Sequence, residues 1–189
     1  MALKFFQSFN AIGSSTLKSL DDQLAFNRCR IVKGATLVLY RKNILEEVWK
    51  AIQTSQRLLI FIGGCDATDD AAIISRPKDI TDQLLEGFEK LLEVRIHSQH
   101  RKSPLVFILL LPRHLITNPQ IGSNLKQLNK KIKKLIINAR AACPELNVTW
   151  VDTANLSSPE YFVKDEKHLS LKGSNKLICN LYTATQHLR

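Results

Sequence analysis

Apolar residues fall along this chain in short dense runs, separated by longer stretches in which they recur every three or four positions. The runs Phe5 to Ile12 (broken by Gln7, Ser8 and Asn10), Cys29 to Val32, Leu58 to Ile62, Leu105 to Leu111 and Val148 to Asp152 read as buried strands. Between them, Thr16 to Leu24, Asn43 to Thr54, Ile80 to Gln99, Asn124 to Ala142 and Ser170 to His187 carry the helical period. The run from Leu105 to Leu111 is the clearest strand, because only a central strand covered on both faces tolerates so little polarity. Strands alternating with helices of these lengths predict an α/β three-layer sandwich around a central parallel sheet of about five strands, flavodoxin-like in class. No repeat, linker or low-complexity segment interrupts the pattern, so one domain over residues 1–189 is expected.

Composition narrows the class. Hydrophobic residues make up 44% of the chain and Gly and Pro are few, which excludes disordered and fibrous proteins. No apolar run approaches the roughly 20 residues of a membrane span. The opening Met1-Ala2-Leu3-Lys4-Phe5-Phe6 lacks the long apolar core and cleavage site of a signal peptide. Cys29, Cys65, Cys143 and Cys179 are scattered without a Cys-x-x-Cys spacing, which argues against a disulfide framework and a zinc site. An intracellular protein, cytoplasmic or nuclear rather than secreted, is the expectation.

Charge adds a partner class. Twenty-seven Lys and Arg against 17 Asp and Glu give a net charge of +10, a surplus that favours polyanions such as nucleic acid or acidic membrane surfaces. Much of it lies between Asn124 and Arg140, where Leu125, Leu128, Ile132, Leu135 and Ile136 repeat at helical spacing. Lys126, Lys130, Lys131, Lys133, Lys134 and Arg140 occupy the other faces. They are candidate phosphate contacts, or simply a solvated helix face. No zinc-finger or RNA-recognition signature accompanies them, nor a glycine-rich phosphate loop.

In a fold of this class ligands bind beyond the C-terminal ends of the strands. The segments placed there are Gly13-Ser14-Ser15-Thr16-Leu17, Lys33-Gly34-Ala35-Thr36-Leu37, Gly63-Gly64-Cys65-Asp66, Pro112-Arg113 and, after the fifth run, Asp165 and His168. Asp165 precedes His168 by about one turn of chain, so its carboxylate can fix the tautomer and orientation of the imidazole, as a general base requires. A serine, backbone amides and an Asp-His pair on one rim are the ingredients of acyl transfer. Simpler uses exist for each residue. Ser14 and Ser15 can cap a helix, Gly34, Gly63 and Gly64 can serve turns, and Cys65 can be a small buried residue. Arg113 can pair with a carboxylate, and His97, His100, His114 and His187 read as surface residues.

Taken in order, Gly13-Ser14-Ser15, Gly34, Gly63-Gly64-Cys65-Asp66 and Asp165-x-x-His168 resemble the four blocks of the SGNH (GDSL-type) hydrolase superfamily, spread over residues 13 to 173. The resemblance implies an SGNH-hydrolase-like fold and a serine esterase in which Ser15 is the nucleophile, His168 the base and Asp165 its orienter. It also implies that the amides of Ser15 and Gly34 receive the oxyanion, with no metal or organic cofactor. Two positions depart from the family pattern: Ser14 replaces the aspartate of Gly-Asp-Ser, and Cys65 stands where an oxyanion-binding asparagine is expected. A thiol is a weak donor, and loss of one such donor costs about 10²–10³ in turnover, so an attenuated enzyme is implied. Gly34-Ala35, Leu111-Pro112-Arg113, Asn129, His168-Leu169-Ser170 and Gly173 are similar to one branch, the esterase domain in the first open-reading-frame protein of certain LINE-type retrotransposons. Small acyl esters, acetylated compounds or lipids are the implied substrates. The alternative is a non-catalytic SGNH-like module that binds nucleic acid through its basic surface.

Overall fold

Five short apolar segments pair side by side as parallel strands: β1 (Asn10–Gly13), β2 (Arg28–Ile31), β3 (Leu58–Phe61), β4 (Leu105–Ile108) and β5 (Val148–Val151). Their order across the sheet is β2-β1-β3-β4-β5. The helices are α1 (Ala2–Phe6), α2 (Leu17–Leu24), α3 (Leu45–Thr54), α4 (Pro77–His97), α5 (Pro119–Ala142) and α6 (Leu171–Ala184). The structure is a computed structural model describing residues 2–33, 35–38, 43–68, 77–112, 119–164 and 168–188.

Alternation along the strands builds two cores. Ile12, Leu58, Ile60, Leu105, Phe107 and Val148 face one side, where α3, α4 and α5 bring Val48, Ile52, Leu84, Phe88, Leu128 and Ile132. Ala11, Leu59, Phe61, Val106, Ile108 and Val151 face the other, against Leu17, Leu20 and Leu24 of α2 and Leu177 and Leu181 of α6. Every residue of β3 and β4 is buried, as expected of strands covered on both faces. This is the expected three-layer sandwich. No helix among the described residues is long and apolar enough to cross a membrane.

The ends of elements depart from the apolar pattern for identifiable reasons. The expected first strand, Phe5 to Ile12, is a helix through Phe6 followed by a turn, and only Asn10–Gly13 is strand. Its apolar density belongs to an aromatic plug: Phe5 and Phe9 lie 5.2 Å apart, and Phe6 packs 5.1 Å from Tyr182 of α6. The run Leu105 to Leu111 stops being strand at Ile108, although Leu109, Leu110 and Leu111 stay buried. There the ladder runs out of neighbours. Leu109 donates to Val151, the last residue of β5, and the side-chain amide of Asn129 takes both the Leu110 N–H (3.0 Å) and its carbonyl (2.8 Å). Helices α4 and α5 begin at Pro77 and Pro119, earlier than their apolar periods, because proline suits a first turn whose N–H groups lack partners anyway.

Candidate active site

Because all five strands are parallel, their C-terminal ends share one rim, and the strand order reverses between β2 and β3, with β1 between them. The chain leaves β1 there, through Gly13-Ser14-Ser15. Gly13 permits it: a Cβ at this position would stand 2.2 Å from the Phe61 carbonyl oxygen, and the Ser14 N–H donates to that same oxygen at 3.0 Å. The carbonyls of Ser14 and Ser15 accept from the amides of Leu17 and Lys18 and so open α2. Neither serine hydroxyl caps this helix, whose N-cap position is Thr16 without a side-chain cap bond. Instead, Ser15 Oγ lies 2.9 Å from His168 Nε2, across 153 residues of chain. The Ser15 N–H has no acceptor among the described residues.

His168 is presented by a small hairpin. Phe162 and Leu169 form an antiparallel bridge, Val163 N–H donates to the His168 carbonyl at 3.0 Å, and Ser170 N–H donates to the Tyr161 carbonyl at 2.9 Å. Phe162 and Leu169 point into the core beside α2 and α6, so their neighbours Val163 and His168 point the other way. Ser170 then caps α6, its hydroxyl accepting from Gly173 N–H at 3.2 Å while donating to the Glu160 carbonyl at 2.8 Å. Gly173 lets the helix approach the hairpin, since a Cβ there would come within 2.0 Å of the Tyr161 oxygen. Helices α2 and α6 are tied by Ser174 Oγ donating to Ser19 Oγ (3.1 Å) over the shared Leu17, Leu20, Leu177 and Leu181 cluster. The elements carrying Ser15 and His168 are thus packed on each other directly.

The turn after β3 holds the third block. Gly63 reverses the chain at φ 96°, Ala67 N–H closes onto the Gly63 carbonyl at 3.0 Å, and Cys65 is half-buried. Asp66 has a role that sequence reasoning left unassigned. Fully buried, it accepts from the amides of Leu37 (2.9 Å) and Val38 (3.0 Å), fastening the segment after β2 to the turn after β3. A carboxylate four residues past an apolar run, inside Gly-Gly-x-Asp, is the signal that marks it. Farther along the same rim, Asn129 and Thr153 both bind Leu110, Thr153 Oγ1 donating at 2.7 Å, which fixes the buried segment after β4. Gly34, Arg113, His114 and Asp165 lie outside the described residues.

The basic candidates lie on α5, on the face of the sheet opposite α2 and α6. Lys126, Lys130, Lys131, Lys134 and Arg140 are exposed on α5, whereas Lys133 is half-buried and engages Asp152 at the end of β5. Asp152 is held below the usual carboxylate range: burial pushes it up, but the Lys133 ammonium and the Ala154 amide outweigh that. Cys29 is no rival nucleophile, because burial and the Asp21 and Asp22 carboxylates push its thiol up to about 12. Among the described residues no group of three or more His, Cys, Asp or Glu is placed to hold a metal ion. An open groove of about 590 Å³ lined by Ile137, Arg140, Pro144 and Glu145 lies at the opposite rim, where the chain enters β5.

No protein-family model matches the chain, and no curated protein matches it in sequence. Solved structures do match. LAE5, an alpha/beta hydrolase enzyme from the metagenome of Lake Arreo, Spain, superposes with a TM-score of 0.61 at 13% identity, covering 96% of this chain and 95% of that one. A family 3 carbohydrate esterase from Clostridium thermocellum gives 0.58 at 15% identity, covering 95% of each chain. The acetylxylan esterase Axe2 from Geobacillus stearothermophilus gives 0.59 at 13% identity over 93% of this chain and 92% of its own. Two further matches are catalytic mutants of Axe2, one with a serine and one with a histidine replaced by alanine. At these identities the likeness establishes the fold.

Proposed function

We propose that this chain is a serine esterase that hydrolyses carboxylic esters at Ser15. The observation that carries the reading is the 2.9 Å approach of Ser15 Oγ to His168 Nε2 at the point where the strand order reverses. With Nε2 unprotonated, the Ser15 hydroxyl donates to it. His168 takes that proton as Oγ bonds to the acyl carbon, and the carbonyl electrons move onto oxygen, giving a tetrahedral oxyanion. The uncommitted Ser15 N–H is one donor for that charge, and the Gly34 amide is the proposed second, with Cys65 a weak third. His168 returns the proton to the leaving alcohol as the C–O bond breaks. Water activated by the same imidazole then cleaves the acyl-serine, and Asp165 steadies the imidazolium in both halves. A serine and a histidine replaced in catalytic mutants of the structurally similar Axe2 fit these roles. Hydrolysis of p-nitrophenyl butyrate tests the proposal: Ser15→Ala and His168→Ala should each bring the rate to buffer background. Equal rates for wild type and both variants would end the reading.

A second reading, contact with nucleic acid, draws on a different part of the molecule. The 24 residues of α5 contain no acidic residue, and its exposed Lys126, Lys130 and Lys134 recur at i, i+4, i+8 along one stripe, about 6 Å apart. The helix has no aromatic residue for base stacking, so binding of this kind would be to phosphates and salt-dependent. Joint exchange of Lys126, Lys130 and Lys134 for Glu should abolish a steep salt dependence of RNA binding. Undiminished binding in that variant would remove α5 as the surface.

A further inference from the structure

We infer that the esterase site takes esters with an apolar acyl chain several carbons long, received by Val163 and Leu171 beside His168. This rests on the proposed role of Ser15 and adds the substrate class.

The hairpin geometry carries it. In the antiparallel pair built on the Phe162–Leu169 bridge, Val163 stands directly opposite His168, joined by the Val163 N–H to His168 carbonyl bond of 3.0 Å. Directly opposed residues share a face of the ladder, with their Cβ atoms about 5.5 Å apart. The imidazole on that face reaches Ser15 Oγ, so the Val163 isopropyl group flanks the same space. Phe162 and Leu169 use the other face and are buried to 8% exposure each, whereas Val163 is left 44% exposed. Leu171, 73% exposed, follows His168 by three positions and so lies within about 11 Å of it along the chain.

Singly exposed apolar side chains are ordinary on a protein surface and need no explanation. Their location here does. Among the described residues only Trp49, Ile137, Val163 and Leu171 are large, apolar and exposed, and two of these four belong to the segment that carries His168. The charges beside them satisfy each other: Lys172 Nζ lies 2.6 Å from Glu160 and over the Tyr161 ring. An acetylated sugar asks its enzyme for polar partners around the ester. This flank offers methyl groups, which gain from covering and being covered by methylenes.

The experiment compares kcat/KM for p-nitrophenyl acetate, butyrate, hexanoate and octanoate, each below its aggregation limit. In wild type kcat/KM should rise about two- to fourfold per added methylene, as the chain covers a half-open shelf. Val163→Ser and Leu171→Ser should each lower the ratio of octanoate to acetate kcat/KM by about fivefold, and Val163→Leu should keep or raise it, which separates loss of apolar surface from loss of folding. A wild-type series that is flat or falls with length, or serine variants that leave the ratio unchanged, would overturn the inference while leaving Ser15 chemistry intact. Ser15→Ala activity equal to wild type would instead remove the esterase reading, and the inference with it.

Discussion

A methyl group at position 173 has nowhere to go, because the nearest atom is the Tyr161 carbonyl oxygen, part of the backbone that presents His168. Gly173→Ala should therefore cost about 1–3 kcal/mol in urea-induced unfolding and also lower ester hydrolysis by displacing the imidazole. A folding loss with unchanged kcat would separate the hairpin from the site. Cys65 is the opposite case, a residue expected to limit chemistry rather than folding. Half-buried after β3, it offers a weak thiol donor, so Cys65→Asn should raise kcat by about tenfold or more if its side chain faces the oxyanion. An unchanged kcat would assign the thiol to packing. The meeting of Ser15 with His168 was legible in the sequence, because both fall in ordered blocks expected at one rim of the sheet. Arg95 was not, since an arginine in a helical pattern reads as surface. Yet it is fully buried and donates to the carbonyls of Ile52, Ser55, Gln56 and Ser103, where burial lowers its guanidinium to about 10. Its place four residues after Leu91, on the apolar face of α4, is the signal that identifies it.

Elements were read from the sequence more securely than their ends. The alternation of apolar runs and helical periods located β2 to β5 and only the end of β1. Burial on two faces marks β3 and β4 in composition, whereas the half-exposed β2 was placed by the alternation alone. Ends depend on side chains far away, such as Asn129 taking over Leu110 where β5 has stopped. The same scale carries a pH prediction. Lys133 of α5 engages Asp152 past β5, and the carboxyl titrates below its ordinary value in the folded chain. The unfolded chain therefore binds more protons here, so the stabilisation is present above about pH 4 and is lost as pH falls through the folded value. Urea midpoints measured from pH 6 down to pH 3 should fall more steeply for wild type than for Asp152→Asn. Parallel curves would show that this contact does not couple α5 to the sheet.

At the scale of the whole molecule, strand order decides where chemistry can happen. Reversal of the winding direction at β1 puts Ser15 at the crevice between two diverging crossovers, and the packing of α2 on α6 brings His168 to it from the far end of the chain. That convergence was only half visible in the sequence, which shows which residues follow strands but not that Ser19 and Ser174 lock the two helices together. Helix α5 covers the sheet face opposite α2 and α6, and its basic stripe starts at the rim, one turn before Asn129 where it holds Leu110, and runs toward Arg140 at the opposite end. The most direct test of the account is covalent capture of the nucleophile. Wild-type protein treated with a fluorophosphonate should gain one adduct by intact mass, mapped to Ser15 in peptides. His168→Ala should slow its formation by about 10²-fold or more, and Ser15→Ala should abolish it. An adduct on any other residue, or a Ser15 adduct formed equally fast without His168, would contradict the account.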